Sequence, residues 1–309
     1  MSALGGIINF DAGPIDEEVL MRVARGLEAH GPDGGAEVCL GSAGMIYRAF
    51  HTNLESRSER QPLVANGCIL AWDGRLDNRE ELIPLLRDEL RDDRSDVAIV
   101  MAAYKRWDSN SVSRLIGDFA LSLWDSRSRK LLLARDPVGA RLLFYQVDVH
   151  RLRWSSRLES LLNLPDTTLE VNLEYVAGYL TSHPTPALTP YKNIYAVPPG
   201  NILSVQHGKI TLQRFWSLDP SREIRYRSDR EYEEHFLQLF SEGVRARLRV
   251  DGPVWADLSG GLDSSSIVCV ADRVLESEAV QAHRVETISA VFDQSSSSDE
   301  RKFIHVVEE

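Results

Sequence analysis

With 309 residues, the chain has room for two domains with sizeable cores, and its 43% hydrophobic and 26% charged content is ordinary for a globular protein. A net charge of −11 argues against nucleic acid as a partner, because a polyanion calls for a basic face. The scattered cysteines 39, 68 and 269 form no CxxC pair, which excludes a zinc site and a disulfide framework and suits a reducing cytoplasm; the start is no signal peptide, and no apolar run reaches the roughly 18 residues of a membrane span.

Along the chain, residues 4–10 suit a buried strand. Residues 16–29 suit an amphipathic helix with Val19, Leu20, Val23 and Leu27 on one face. Short strands at 44–49 and 68–72 lead to helices at 79–89 and 95–105, the second capped by Ser95. Runs at 119–124, 130–134, 142–146 and 151–155 alternate with turn signals and read as antiparallel hairpins. Within them Trp124, Phe144 and Trp154 read as core aromatics, and Arg135-Asp136 as a buried ion pair before the Gly139 turn. His51, His183 and the Arg57–Arg60 cluster read as surface or loop positions. Two strands at 202–206 and 209–213 precede a charged linker at 219–230. A helix at 231–249 follows, with Phe236, Leu239, Phe240 and Val244 as its apolar positions. After a loop and helix, 285–292 reads as a strand for a parallel sheet, 295–298 as a polar loop and 300–308 as a helix. Strand–helix–strand–helix is only the opening of an α/β sheet, so the expectation is a truncated chain or one half of a split enzyme.

The loop carries the most chemistry. Residues 258–266 read Leu-Ser-Gly-Gly-Leu-Asp-Ser-Ser-Ser, between an apolar run at 253–258 and a helical pattern from Ser264 to about Leu275. Gly260 and Gly261 let the backbone approach an anion closely, and successive N–H groups then face one concavity. The helix start adds free N–H groups and the positive end of its dipole. Ser259, Ser264 and Ser265 add hydroxyls, and Asp263 offers a hard oxygen for Mg²⁺. A Walker loop would place a lysine after its last glycine; none follows Gly261. The loop therefore suits holding pyrophosphate as it leaves ATP, the requirement of carboxylate adenylation.

Several motifs resemble, in order, the landmarks of asparagine-synthetase-like enzymes. They are Met1-Ser-Ala-Leu-Gly-Gly-Ile-Ile, Gly31-Pro-Asp-Gly34, Gln61-Pro-Leu63, Asp73-Gly-Arg-Leu-Asp-Asn78, Ser95-Asp96, Gly117-Asp-Phe-Ala120, Arg135-Asp-Pro-Val-Gly139 and Pro198-Pro-Gly200. Ser259–Ser265 then resembles that family's pyrophosphate loop. The resemblance implies an α+β N-terminal-nucleophile-hydrolase-like sandwich of antiparallel sheets with helices over 1–215, a type 2 glutamine amidotransferase domain. Over 216–309 it implies the first part of an α/β parallel-sheet ATP-pyrophosphatase domain. ATP and Mg²⁺ are the implied cofactors, with Asp263 on the metal, Ser259, Gly260, Gly261, Ser264 and Ser265 on pyrophosphate, and Leu258 and Ala290 framing the adenine.

Four departures weaken the implied glutaminase. The family's nucleophile at position 2 is Cys, and here it is Ser, a weaker nucleophile unless strongly activated. Asp73 stands where the family has an oxyanion-hole Asn, beside Gly74; a carboxylate repels the developing charge, and losing one such donor lowers rates roughly 10²–10³-fold. Arg75 replaces a Glu that would meet the glutamine amino group, and Ala29-His30 replaces His-Arg. Arg48 and Asp96 remain at the implied glutamine-binding positions. Among family members without glutaminase activity, residues 47–63 and Asp73–Asn78 resemble the lasso-peptide cyclases most. That resemblance implies macrolactam formation on a peptide carboxylate, with a precursor-processing protease and a leader-binding protein as partners. Two alternatives stand beside it: a glutamine-hydrolysing asparagine synthetase acting on a small amino-acid carboxylate, and an inactive fragment awaiting a C-terminal partner.

Overall fold

The computed structural model describes residues 1–90, 92–277, 280, 282, 284–294 and 299–308; the loop expected at 295–298 lies outside them. The chain divides into two compact units, 1–51 with 55–218, and 52–54 with 219–309.

In the first unit, one sheet contains β1 (Ala3–Asn9), β2 (Gly35–Leu40), β3 (Ala43–Arg48), β8 (Phe144–Val147), β9 (Arg151–Ser155) and β10 (Ile194–Ala196), in the order β10-β8-β9-β1-β3-β2. The other contains β4 (Leu63–Ala65), β5 (Cys68–Leu76), β6 (Gly117–Asp125), β7 (Lys130–Arg135), β11 (Asn201–Gln206) and β12 (Lys209–Arg214), in the order β12-β11-β7-β6-β5-β4. Neighbouring strands run antiparallel, as in β1 with β3 and β5 with β6.

Alternation along the strands sorts side chains into layers. Leu4, Ile8, Met45 and Trp154 of the first sheet meet Ile69, Ala71, Trp124 and Leu133 of the second in one buried core. Leu70, Trp72 and Leu121, pointing the other way, pack on Ile99, Val100 and Ala103 of α3 (Asp96–Trp107) and Leu82 of α2 (Arg79–Leu85). Ala3 and Ile7 pack on Leu20, Val23 and Ala24 of α1 (Glu17–Arg25) and Leu161 of α4 (Leu158–Leu162). The unit is thus a helix–sheet–sheet–helix sandwich. Its central strands are buried on both faces, which is why they read as continuous apolar runs. Gly6 has a specific reason to be glycine: a Cβ there would lie 2.3 Å from the Trp154 ring and 2.4 Å from the Gly44 carbonyl.

The structure departs from the sequence reading in local ways. The helix expected over 16–29 ends at Arg25; Gly26 sits against Ser160, and the chain continues as a 3-10 turn at Glu28–His30. Pro84 lies near the end of α2, which stops at Leu85 rather than Glu89. Strands β2, β4 and β10 and helix α5 (Leu173–Leu180) were not foreseen, and α5 buries none of its residues. Arg135 and Asp136 are buried, but no ion pair joins them among the described contacts. Arg135 donates to the carbonyls of Arg141, Val197 and Gly139. Asp136 accepts from the backbone N–H groups of Phe119, Val138, Ala140 and Arg141. Trp124 and Trp154 are core residues as expected, Phe144 and His51 are half-buried, and His183 is exposed.

In the second unit, Ser228 caps α6 (Asp229–Arg247), so that helix begins inside the expected linker. β13 (Val254–Asp257) pairs in parallel with β14 (Val285–Ile288), and α7 (Leu262–Ser277) lies between them in sequence. Val244, Leu248, Ala271, Val274 and Ala282 form the buried core. β14 stops four residues before the expected end, and α7 starts two residues before Ser264. α8 (Arg301–Glu308) follows, burying Ile304.

Candidate functional site

Each unit holds one constellation. In the first, Ser2 lies just ahead of β1 and is 6% exposed. Its hydroxyl accepts from the Tyr47 phenol at 2.9 Å and the Phe50 N–H at 3.0 Å, and donates to the Phe50 carbonyl at 3.3 Å. Both lone pairs and the proton of Oγ are therefore engaged. Burial pushes the Tyr47 phenol up, so it is held as a donor and is no base. Asp73, on β5, is buried, and burial raises its carboxyl above the ordinary range. Opposing that shift are the Arg141 guanidinium, 3.8 Å away, then the terminal amine and Arg157. Gly74 is fixed by strand packing, since a Cβ would sit 2.6 Å from the Asp118 carbonyl and 2.7 Å from Phe119 Cβ.

The residues expected around glutamine are turned to protein partners. Arg48 is buried, pairing with Glu37 and donating to the Tyr47 carbonyl at 3.1 Å. Asp96 is buried, accepts from the Leu76 N–H at 2.9 Å and lies 3.5 Å from Arg79, tying α3 to β5. Arg75 binds Asp77 at 2.6 Å and Asp118 at 2.9 Å.

Sequence reasoning missed Arg141 and Arg157 beside Asp73. It also missed Glu59, which accepts from Gln61 Nε2 at 2.8 Å while Gln61 Oε1 accepts from the Trp72 N–H at 2.7 Å. Their signals were positional: Glu59 lies in the 47–63 segment, Arg141 two residues past the Arg135–Gly139 motif, and Arg157 two residues past the strand run at 151–155. Burial, and then the Asp96 and Asp93 charges, raise Glu59 to about 7 from an ordinary 4.5, against the hydrogen bond from Gln61. An acid with a raised folded pKa binds more protons folded than unfolded, so stability is fullest below the unfolded value and falls as pH rises to the folded one. Unfolding free energies measured by urea denaturation from pH 4.5 to 8 should decline for the wild type, by at most about 3 kcal/mol from this group. The Glu59→Gln variant should show a flatter profile, and an unchanged slope would refute the assignment.

In the second unit, β13 ends at Asp257 and the chain turns through Gly260, whose φ of +78° suits glycine. A Cβ there would lie 2.6 Å from Phe303 Cβ. Local bonds hold the turn: Ser259 N–H to Ser264 Oγ at 3.2 Å, the two hydroxyls 3.0 Å apart, and Gly261 N–H to Ser259 Oγ at 3.4 Å. Ser265 Oγ is buried and has no hydrogen-bond partner, an orphaned donor in the first turns of α7. Asp263 is exposed in that first turn. Leu258 is buried, with its N–H on the Ile288 carbonyl and its carbonyl accepting from Ser289 Oγ; Ala290 is exposed two residues past β14. The turn with its hydroxyls and helix start fits a pyrophosphate group. For Mg²⁺ it offers one carboxylate, and no group of three His, Cys, Asp or Glu suited to a metal occurs among the described residues.

Residues 1–216 match the family model for the glutamine amidotransferase domain, and residues 235–309 match that for asparagine synthase. Among curated relatives is asparagine synthetase [glutamine-hydrolyzing] 3 of Bacillus subtilis (strain 168), 27% identical over 297 residues, spanning 90% of this chain and 46% of the relative. Another is amidase chyE of Penicillium rubens, 31% identical over 219 residues, spanning 67% of this chain and 32% of the relative. The chain spans less than half the length of each. A solved glutamine phosphoribosylpyrophosphate amidotransferase from B. subtilis, complexed with ADP and GMP, aligns with a TM-score of 0.48 at 17% identity, covering 92% of this chain and 65% of that one.

Proposed function

Because this chain belongs to the glutamine amidotransferase family, its sandwich having the N-terminal-nucleophile-hydrolase architecture and leading into an asparagine synthase segment, we propose that it serves an ATP-dependent amide ligase whose first domain is a scaffold rather than a glutaminase. The observation that carries this reading is the Ser2–Asp73 pair. The Ser2 hydroxyl is fully engaged, and a carboxylate occupies the implied oxyanion position, where it repels the charge a tetrahedral intermediate would develop.

In the reaction, a substrate carboxylate oxygen attacks the α-phosphorus of ATP. The bond from that phosphorus to the bridging oxygen breaks, and pyrophosphate leaves. An amine then attacks the acyl carbon, AMP departs with the C–O electron pair, and the amine proton passes to solvent. Ser259, Gly260, Gly261, Ser264 and Ser265 would hold the pyrophosphate, with the Leu258 and Ala290 strand ends beside the adenine. Asp263 would hold Mg²⁺, which when bound would offset charge on the departing phosphates. The free cysteines fit a cytoplasmic enzyme, and no described helix is long and apolar enough to cross a membrane.

Within this class we favour a lasso-peptide macrolactam cyclase. Its amine and acyl-adenylate belong to one bound peptide, so proximity supplies much of the acceleration. A protease that frees the peptide's N-terminal amine and a protein that delivers the leader would be its partners, and a C-terminal half would complete the second domain. The glutamine-hydrolysing asparagine synthetases among the relatives favour a second reading, synthesis of asparagine from aspartate. An ammonia-release assay separates the two. Our reading expects background release from glutamine, unchanged by Ser2→Ala; release abolished by Ser2→Ala would support the second.

A further inference from the structure

The β4–β5 hairpin closes on Asn66-Gly67, both at positive φ (+51° and +77°), as a two-residue turn between right-twisting strands requires. Ser126, in the β6–β7 turn, locks it in place, donating its N–H at 3.0 Å and its hydroxyl at 2.7 Å to the Gly67 carbonyl. Between these two turns and α3 lies a cavity of about 250 Å³. Its lining includes the buried Cys68, Met101 and Tyr104, the half-buried Ala65 and the exposed Lys105 and Arg127. Cys68 faces α3 with Leu70 and Trp72, whereas Asp73 alternates to the other face with Ile69 and Ala71. The cavity is thus on the opposite face of the sheet from Asp73 and roughly 17 Å along β5 from it.

Walls and rim differ in chemistry. Burial, and then the Asp125 charge, push the Cys68 thiol up, so it stays neutral. With the Met101 thioether, the Tyr104 ring and the Ala65 methyl it makes a soft apolar surface that suits an aromatic body. The Tyr104 hydroxyl is turned to Asp125, at 3.4 Å. At the rim, Lys105 has no ion-pair partner among the described residues. Arg127 commits Nε to Asp125 at 3.3 Å, while its Nη2 meets Cys68 Sγ at 4.0 Å, a weak contact that leaves its donors available. We propose that this cavity binds a small aromatic carboxylate, its ring against Met101 and Tyr104 and its carboxylate between Lys105 and Arg127. The volume lies below the roughly 300–1,000 Å³ of sites for drug-sized ligands, which limits the body to a single ring. The site requires neither ATP nor the second unit, so it stands apart from the ligase reading.

The test is an NMR titration of the full chain, ¹³C-labelled at its four methionine methyls, with benzoate, benzamide and acetate. Benzoate should shift the Met101 methyl saturably and leave Met1, beside Ser2, and Met45, in the core between the sheets, in place. Benzamide, which lacks the charge, and acetate, which lacks the ring, should each bind roughly tenfold more weakly or worse. Lys105→Gln and, separately, Arg127→Gln should weaken benzoate binding by roughly tenfold, while far-ultraviolet dichroism and melting temperature show a folded protein. Both side chains are exposed, so neither change opens the core. No saturable shift at Met101, benzamide or acetate binding as well as benzoate, or folded rim variants binding as the wild type does would overturn the site.

Discussion

Asp136→Ala should destabilise the N-terminal unit by about 5 kcal/mol, enough to exhaust the margin of many natural domains. The Asp136 carboxylate is fully buried and accepts four backbone N–H bonds, from Phe119 at 3.3 Å and from Val138, Ala140 and Arg141 at 3.0 Å. Hydrogen bonds to a charged group are each worth about 1.5–3 kcal/mol, and truncation removes the acceptor of one buried donor, the Phe119 N–H, and of three part-buried ones, though such losses do not add fully. The Asp136 backbone also binds Phe119, Gly139 and Gly200, so the carboxylate sits where the turn, β6 and the segment entering β11 meet. Urea denaturation should show the loss, with Asp136→Asn, which keeps one oxygen acceptor, falling between. A shift under 1 kcal/mol for alanine would mean that solvent replaces the carboxylate.

The second large effect belongs to the loop. Gly260→Ala should lower ATP–pyrophosphate exchange at least 100-fold while shifting the melting temperature by only a few degrees. At a φ of +78° an alanine is strained by roughly 1–2 kcal/mol, and its Cβ would stand 2.6 Å from Phe303 Cβ. Relief requires moving either α8 or the turn, and the turn is the lighter element. Its N–H and hydroxyl groups would then miss the departing phosphates, and the loss of aimed donors affects rate by roughly 10²–10³ per donor. Gly252, also at positive φ but with open space around its Cβ position, serves as a control: its alanine variant should keep exchange close to wild type. Equal exchange by the Gly260 variant would remove the loop from the chemistry.

How far the sequence was legible depended on the range of the interactions. Strands buried on both faces, such as β5 and β6, announce themselves as apolar runs, and Ser95 and Ser228 are local caps. β2 was not legible: it lies at the sheet edge, with half-buried and exposed residues alternating and no apolar run. α5 was missed for a related reason, because none of its apolar side chains is buried to impose a period. Arg135 and Asp136 looked like a pair because they are adjacent in sequence. Successive residues at a strand end point in opposite directions, so each found backbone partners instead. The Ser2 and Asp73 departures were readable by position alone. The company Asp73 keeps was not, since Arg141 and Arg157 reach it from distant turns. Glu37 meets Arg48 because β2 and β3 pair with Gly35 opposite Arg48, a register no local pattern encodes.

The central claim is that carboxylate activation proceeds here without glutamine. ATP–pyrophosphate exchange on the protein at its natural full length, with a candidate precursor peptide and separately with aspartate, tests it most directly. Exchange is expected with the peptide and not with aspartate, with no change in either on adding glutamine. Exchange supported by aspartate alone, with glutamine-dependent formation of asparagine, would contradict it.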